Sequence, residues 1–115
     1  MSDDMPMAVV EMPEFIAATR KMLDHDERED LIDFVAGNPT HGDVIAGTGG
    51  VRKMRWALPG RGKSGGARVI YFFHDPGMPL FLITAYPKNE MANISHAARN
   101  DLKRLVGLLK TEYGR

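Results

Sequence analysis

A chain of 115 residues, 43% of them apolar, is sized for one domain around one core, expected to span residues 1–115. The absence of cysteine excludes a disulfide framework, a thiolate metal site and a thiolate nucleophile, and no apolar run nears the roughly 18 residues of a membrane span. The formal net charge of zero hides a division: residues 1–50 hold eleven acids against three bases, and residues 51–115 hold four acids against twelve bases.

Residues 1–6 are expected to be disordered. Their opening, Met1-Ser2-Asp3-Asp4, is acidic and lacks the basic-then-apolar pattern of a signal peptide, so the cytoplasm is the expected address. Residues 7–12 form a short apolar run that predicts a strand. Pro13 suits the first position of a helix, and Phe15, Ile16, Met22 and Leu23 follow at helical spacing. Asp24 and Asp26 are both suitable N-caps for a second helix with Leu31, Ile32, Phe34 and Val35 on its apolar face, and Gly37-Asn38-Pro39 ends it.

The period then changes. Residues 51–58 alternate, with Lys53 and Arg55 on one side and Met54, Trp56 and Leu58 on the other. Residues 67–74 and 80–86 are rich in β-branched and aromatic side chains, and Asp75-Pro76-Gly77 between them predicts a turn. Ser95 can cap a last helix bearing Leu102, Leu105, Val106 and Leu109 on one face. The expected class is α+β: a small twisted antiparallel sheet of three central strands plus an N-terminal strand, with helices packed on one face and the other partly open.

The basic half of the chain carries the chemistry. Arg52, Lys53, Arg55, Arg61, Lys63 and Arg68 lie within residues 51–70 with no acid among them, which predicts a surface for a polyanion. Lys53 and Arg55 are two apart and share a sheet face. Arg68 on the neighbouring strand can join them, whereas Arg52 points the other way and is read as structural or edge-exposed. Residues 57–64, Ala-Leu-Pro-Gly-Arg-Gly-Lys-Ser, loosely fit a phosphate-binding loop. Such a loop needs a helix after it, and a β-rich run follows here instead. Four scattered histidines without paired spacing make no metal site, and no cofactor is expected.

Several phrases in order carry a resemblance: Gly47-Thr48-Gly49-Gly50-Val51-Arg52-Lys53-Met54-Arg55, then Gly60-Arg61-Gly62-Lys63-Ser64-Gly65-Gly66, then Ala67-Arg68-Val69-Ile70-Tyr71-Phe72, then Tyr86-Pro87-Lys88-Asn89-Glu90. Over roughly residues 30–105 the chain resembles RelE/HigB toxins of toxin–antitoxin pairs, in particular the HigB-like branch. The resemblance implies a ribosome-dependent endoribonuclease that cuts messenger RNA in the decoding site without a metal. It implies as partners the ribosome, messenger RNA and a cognate antitoxin, usually a small helix-turn-helix protein, with DNA reached only through that antitoxin and no membrane partner.

Position by position, Lys53 and Arg55 match the family's basic pair on the first central strand, Arg68 the arginine opening the next, and Lys88 a basic residue after the last. These four are the candidate catalytic residues. Attack of a 2′-hydroxyl on its neighbouring phosphate requires a proton acceptor, charge stabilisation on the phosphoryl oxygens and a proton donor for the leaving oxygen. Arginine suits the second task because its planar fork bonds two phosphate oxygens. Lys53 is the candidate base, since crowding by like charges disfavours the protonated amine. Arg61 and Lys63 are candidate phosphate contacts, and Tyr86 is a candidate stacking platform for a base.

The chain departs from the family at Pro87, at Asn89 and at Ile94-Ser95, where some relatives carry a small residue, a base and a tyrosine respectively. The proton donor is thereby left open between Lys88 and His96, with His41 and His74 weighed behind them. Two other readings stand beside the enzyme: a toxin-like domain that binds RNA or protein without cutting, and a gyrase-inhibiting toxin of the same superfamily. The basic cluster speaks against the latter.

Overall fold

The computed structural model describes residues 7–58, 66–88 and 94–114. Among them the elements run β1 (Val9–Glu11), α1 (Pro13–Thr19), α2 (His25–Gly37), β2 (Asp43–Val44), β3 (Val51–Trp56), β4 (Ala67–Phe72), β5 (Leu80–Pro87) and α3 (His96–Tyr113). The strands form one sheet in the order β1-β5-β4-β3-β2. The protein is therefore α+β, as expected, with the antiparallel meander β3–β4–β5 at its centre. The expected disorder of residues 1–6 falls outside the described residues.

Two strands differ from expectation. β1 runs parallel to β5, which makes the sheet mixed. Most of the chain separates those two strands, so no hairpin fixes their relative direction, and a parallel pair is free to form across so long a connection. β2 is only two residues long, too short for alternation to announce it, and it pairs antiparallel with β3 through Asp43–Lys53 and Val44–Arg52.

The helix starts follow local chemistry. Pro13 stands in the first turn of α1, where a missing N–H costs nothing. Of the two candidate caps for α2 the structure uses Asp24: its carboxylate accepts from the Glu27 N–H at 2.8 Å, and the Glu27 carboxylate accepts from the Asp24 N–H at 2.9 Å. Ser95 caps α3 by accepting from the Ala98 N–H at 3.1 Å. The turn before β5 closes as its sequence predicts, with the Asp75 carboxylate accepting from the Gly77 N–H at 2.7 Å.

Alternation along the central strands builds two cores. Met54, Val69, Tyr71, Leu80, Leu82 and Ala85 pack with Phe15 of α1 and with Leu31 and Val35 of α2. The intervening residues Val51, Ile70, Phe72, Phe81 and Ile83 pack with Val106 and Leu109 of α3. Helices α1 and α2 thus cover one face of the sheet, and α3 lies along part of the other. The strand pairing slips once, between Ile70, which faces Thr84, and Tyr71, which faces Leu82. Ile83 is the extra residue of a β-bulge. Without it Arg68 would face Ala85; with it, Arg68 faces Tyr86.

Candidate nucleic-acid interface

The register of the meander sets three side chains in a row: Arg55 of β3 faces Arg68 of β4, and Arg68 faces Tyr86 of β5. Lys53, two residues before Arg55, stands on the same sheet face and pairs with Ile70. Directly opposed residues of an antiparallel pair have their Cβ atoms about 4.5–5.5 Å apart, and like charges there repel. Two opposed arginines are therefore destabilising on their own account, and an anion bridging them removes the repulsion. The Arg68 Nε atom is buried and has no hydrogen-bond partner among the described residues, a property it shares with Nε of Arg52 and Arg99. Leaving a buried charged donor unpaired costs free energy that a phosphate oxygen would recover.

A cavity of about 440 Å³ adjoins the row, lined by His41, Gly42, Asp43, Lys53, Met54, Arg55 and Arg68. Three predicted residues, Lys53, Arg55 and Arg68, meet there. Tyr86 lies beyond Arg68, half-buried, and lines a second cavity of about 490 Å³ between the sheet and α3, whose walls include Ile83, Ile94, Leu102 and Leu105. Lys88 is exposed just past β5, where its backbone N–H donates to the Gly66 carbonyl at 2.9 Å. His96 opens α3 and is exposed, and like Lys88 it does not line the first cavity. Arg61 and Lys63 fall outside the described residues. The loose phosphate-loop pattern runs largely outside them too, but the element after it is strand β4, as its rejection required.

Sequence reasoning gave little weight to the segment that forms the cavity's other wall, residues 38–43. Two side chains from the sheet clamp it. The Tyr71 hydroxyl donates to the Pro39 carbonyl at 2.9 Å and accepts from the Gly42 N–H at 2.8 Å. The Arg52 guanidinium donates to the carbonyls of Gly42 at 2.7 Å and Thr40 at 3.3 Å. Arg52 is therefore structural, one of the two roles that its parity left open. The contact is close: a Cβ at Gly42 would stand 2.8 Å from the Lys53 carbonyl oxygen and 2.9 Å from the Tyr71 hydroxyl, so only glycine fits. Burial raises the Tyr71 pKa from its ordinary 10.0; the Gly42 N–H and the Arg52 charge pull it back, and Asp43 adds to the rise. His41 rests edge-on against Phe34, with ring centroids 5.0 Å apart and planes at 87°.

Among the described residues no group of three or more histidine or acidic side chains is placed to hold a metal ion, and no helix is long and apolar enough to cross a membrane. Most of the aromatic side chains are core: Tyr71, Phe72 and Phe81 are fully enclosed, and Trp56 and Phe73 pack partly buried against the first cluster.

Comparison with known protein families places these features in context. Residues 20–112 match the family model described as the RelE toxin of the RelE/RelB toxin–antitoxin system. The matched span begins after α1 and takes in every strand of the meander, the clamped segment and nearly all of α3.

Proposed function

Because the chain belongs to the RelE toxin family, and that family implies a cognate antitoxin as partner, we propose that it is an endoribonuclease of the HigB-like branch that cuts messenger RNA on the ribosome. The observation that carries this reading is the row of Arg55, Arg68 and Tyr86, with Lys53 on the same face beside an open cavity. Two opposed arginines, one with a buried Nε that has no partner among the described residues, form a receptor for a phosphodiester, and an aromatic ring one strand further offers a base a surface to stack on.

In the proposed reaction the 2′-hydroxyl of the substrate gives its proton to Lys53, and its oxygen attacks the adjacent phosphorus. The bond from phosphorus to the 5′-oxygen breaks, and that oxygen takes up a proton as it leaves. The products are a 2′,3′-cyclic phosphate and a 5′-hydroxyl. Arg55 and Arg68 hold the non-bridging oxygens, where negative charge grows in the transition state. Lys88, Arg61 and Lys63 contact flanking phosphates. The scheme asks for no metal ion and no cofactor.

The chain would act as a single toxin domain in the cytoplasm, where ribosomes and messenger RNA are found. Its antitoxin, a helix-turn-helix protein in this reading, would silence it by covering the basic face, and DNA would be met only through that partner.

Primer extension on a defined messenger RNA tests the reading, with and without translating ribosomes. Codon-phased cuts that require ribosomes and vanish in Arg68→Ala support it. Cuts on naked RNA would keep the nuclease and discard the ribosome. No cuts from the folded protein in either condition would replace the enzyme with a toxin-like domain that binds RNA or protein without cleaving.

A further inference from the structure

Cleavage of an RNA strand needs a proton for the departing 5′-oxygen, and the two residues that sequence reasoning favoured, Lys88 and His96, do not line the cavity that Lys53, Arg55 and Arg68 share. One imidazole does. We infer that His41 is the catalytic acid, delivering a proton to the 5′-oxygen while Lys53 takes one from the 2′-hydroxyl. The inference rests on the ribonuclease reading above.

Three observations support it. His41, from residues 38–43, lines the same cavity as Lys53, Arg55 and Arg68 of the sheet, so a phosphodiester held there meets the cations and this histidine together. The segment that bears His41 is held in place: Tyr71 and Arg52 fasten the backbone on both sides of it through Pro39, Thr40 and Gly42, and the bare Cα of Gly42 lets it lie directly against Lys53 and Tyr71, where a Cβ would push it away. The ring is braced edge-on by Phe34 yet stays exposed, so it can exchange protons with solvent between turnovers. A braced, accessible imidazole on a fixed backbone meets the geometric demand on an acid, which must be held within reach of the atom it protonates. Among the described residues the charged groups that face the same cavity are Asp43 on its own segment, Lys53 and Arg55 from β3, and Arg68 from β4.

The proton balance is complete within the site. One proton passes from the 2′-hydroxyl to Lys53, one from His41 to the 5′-oxygen, and exchange with water restores both side chains.

The test uses two messenger RNAs programmed into ribosomes. One carries the ordinary 5′-oxygen at the cut position, the other a 5′-bridging sulfur there. Sulfur leaves as a thiolate and needs no proton, so a missing acid does not slow its departure. His41→Ala and His41→Gln should cut the ordinary messenger about 10²–10⁴-fold more slowly than the unaltered protein. Both should cut the sulfur-bearing messenger within a few-fold of it. Equal slowing on both substrates would make His41 a structural residue and overturn the inference, and unchanged rates on both would do the same. Arg68→Ala serves as the reference, because it should be slow on both messengers. If Arg68→Ala behaves so while the His41 variants show no selectivity, this inference alone fails and the nuclease stands. If the unaltered protein cuts neither messenger, the nuclease reading fails and takes His41 with it.

Discussion

The two faces of β3 are built for different purposes from one run of six residues. On one face Met54 and Trp56 join Val69, Tyr71, Leu80 and Leu82 beneath α1 and α2. On the other, Val51 packs near α3, and then Lys53 and Arg55 take the same face into solvent beside Arg68. Each fully buried large apolar side chain contributes about 1.5–3 kcal/mol. The first face therefore carries much of the stability, and the second can hold opposed cations that cost stability. Strand alternation is what lets one segment do both, because a side chain's neighbours change completely between adjacent positions. Substitutions on the two faces should therefore separate stability from activity.

The largest effect should come from the packing face. Leu82 is fully buried among side chains from both helices, and Leu82→Ala removes three carbons from that contact and leaves a cavity. Denaturant unfolding should show a loss of about 2–5 kcal/mol, while the protein that stays folded cuts RNA at an undiminished specific rate. Arg68→Ala should show the converse. Single-turnover cutting should slow about 10²–10³-fold, the effect of removing one preorganised donor from a transition state. Its unfolding midpoint should hold or rise, since Arg68 is opposed by Arg55 and its Nε has no partner among the described residues. A destabilised Arg68→Ala would break the separation of the two faces.

How far the sequence spoke for itself divides along the same line. Binary patterns are local, and they sufficed for Lys53 and Arg55 against Met54 and Trp56, for the turn at Asp75, and for the caps at Asp24 and Ser95. Pairing is not local. That Arg68 meets Tyr86 rather than Ala85 depends on one extra residue, Ile83, at a bulge inside an apolar run where every side chain is buried and nothing marks the slip. The direction of β1 was equally hidden, because its partner lies about seventy positions away. The wall formed by residues 38–43 was given little weight for a third reason. Its placement depends on a tyrosine hydroxyl and an arginine that reach it from distant strands, and neither leaves a mark on the residues it holds. The one local trace was Gly42, whose need for a bare Cα appears only when Lys53 and Tyr71 are seen against it.

Tyr71 is where the separation of faces should partly fail, and Tyr71→Phe measures by how much. Its ring belongs to the packing face and is fully buried, but its hydroxyl holds the segment that walls the cavity. Phenylalanine keeps the packing and removes the clamp, leaving the Gly42 N–H without its acceptor. The expected loss of stability is about 1–3 kcal/mol, the cost of an unsatisfied buried donor, accompanied by slower cutting at saturating substrate because the cavity wall is less firmly placed. The pH dependence identifies the source. Burial raises the folded-state pKa of Tyr71 above its ordinary 10.0, so between the unfolded and folded values the unfolded chain has lost this proton and the native protein has not. The stability contributed by the neutral hydroxyl is thus complete below pH 10 and declines as pH rises toward the folded-state pKa. The difference between the unaltered protein and Tyr71→Phe should accordingly be constant from pH 7 to 9 and shrink at higher pH. A difference that persists undiminished would mean that the variant has disturbed the core. A variant with unchanged cutting would mean that Arg52, through Gly42 and Thr40, holds the wall by itself.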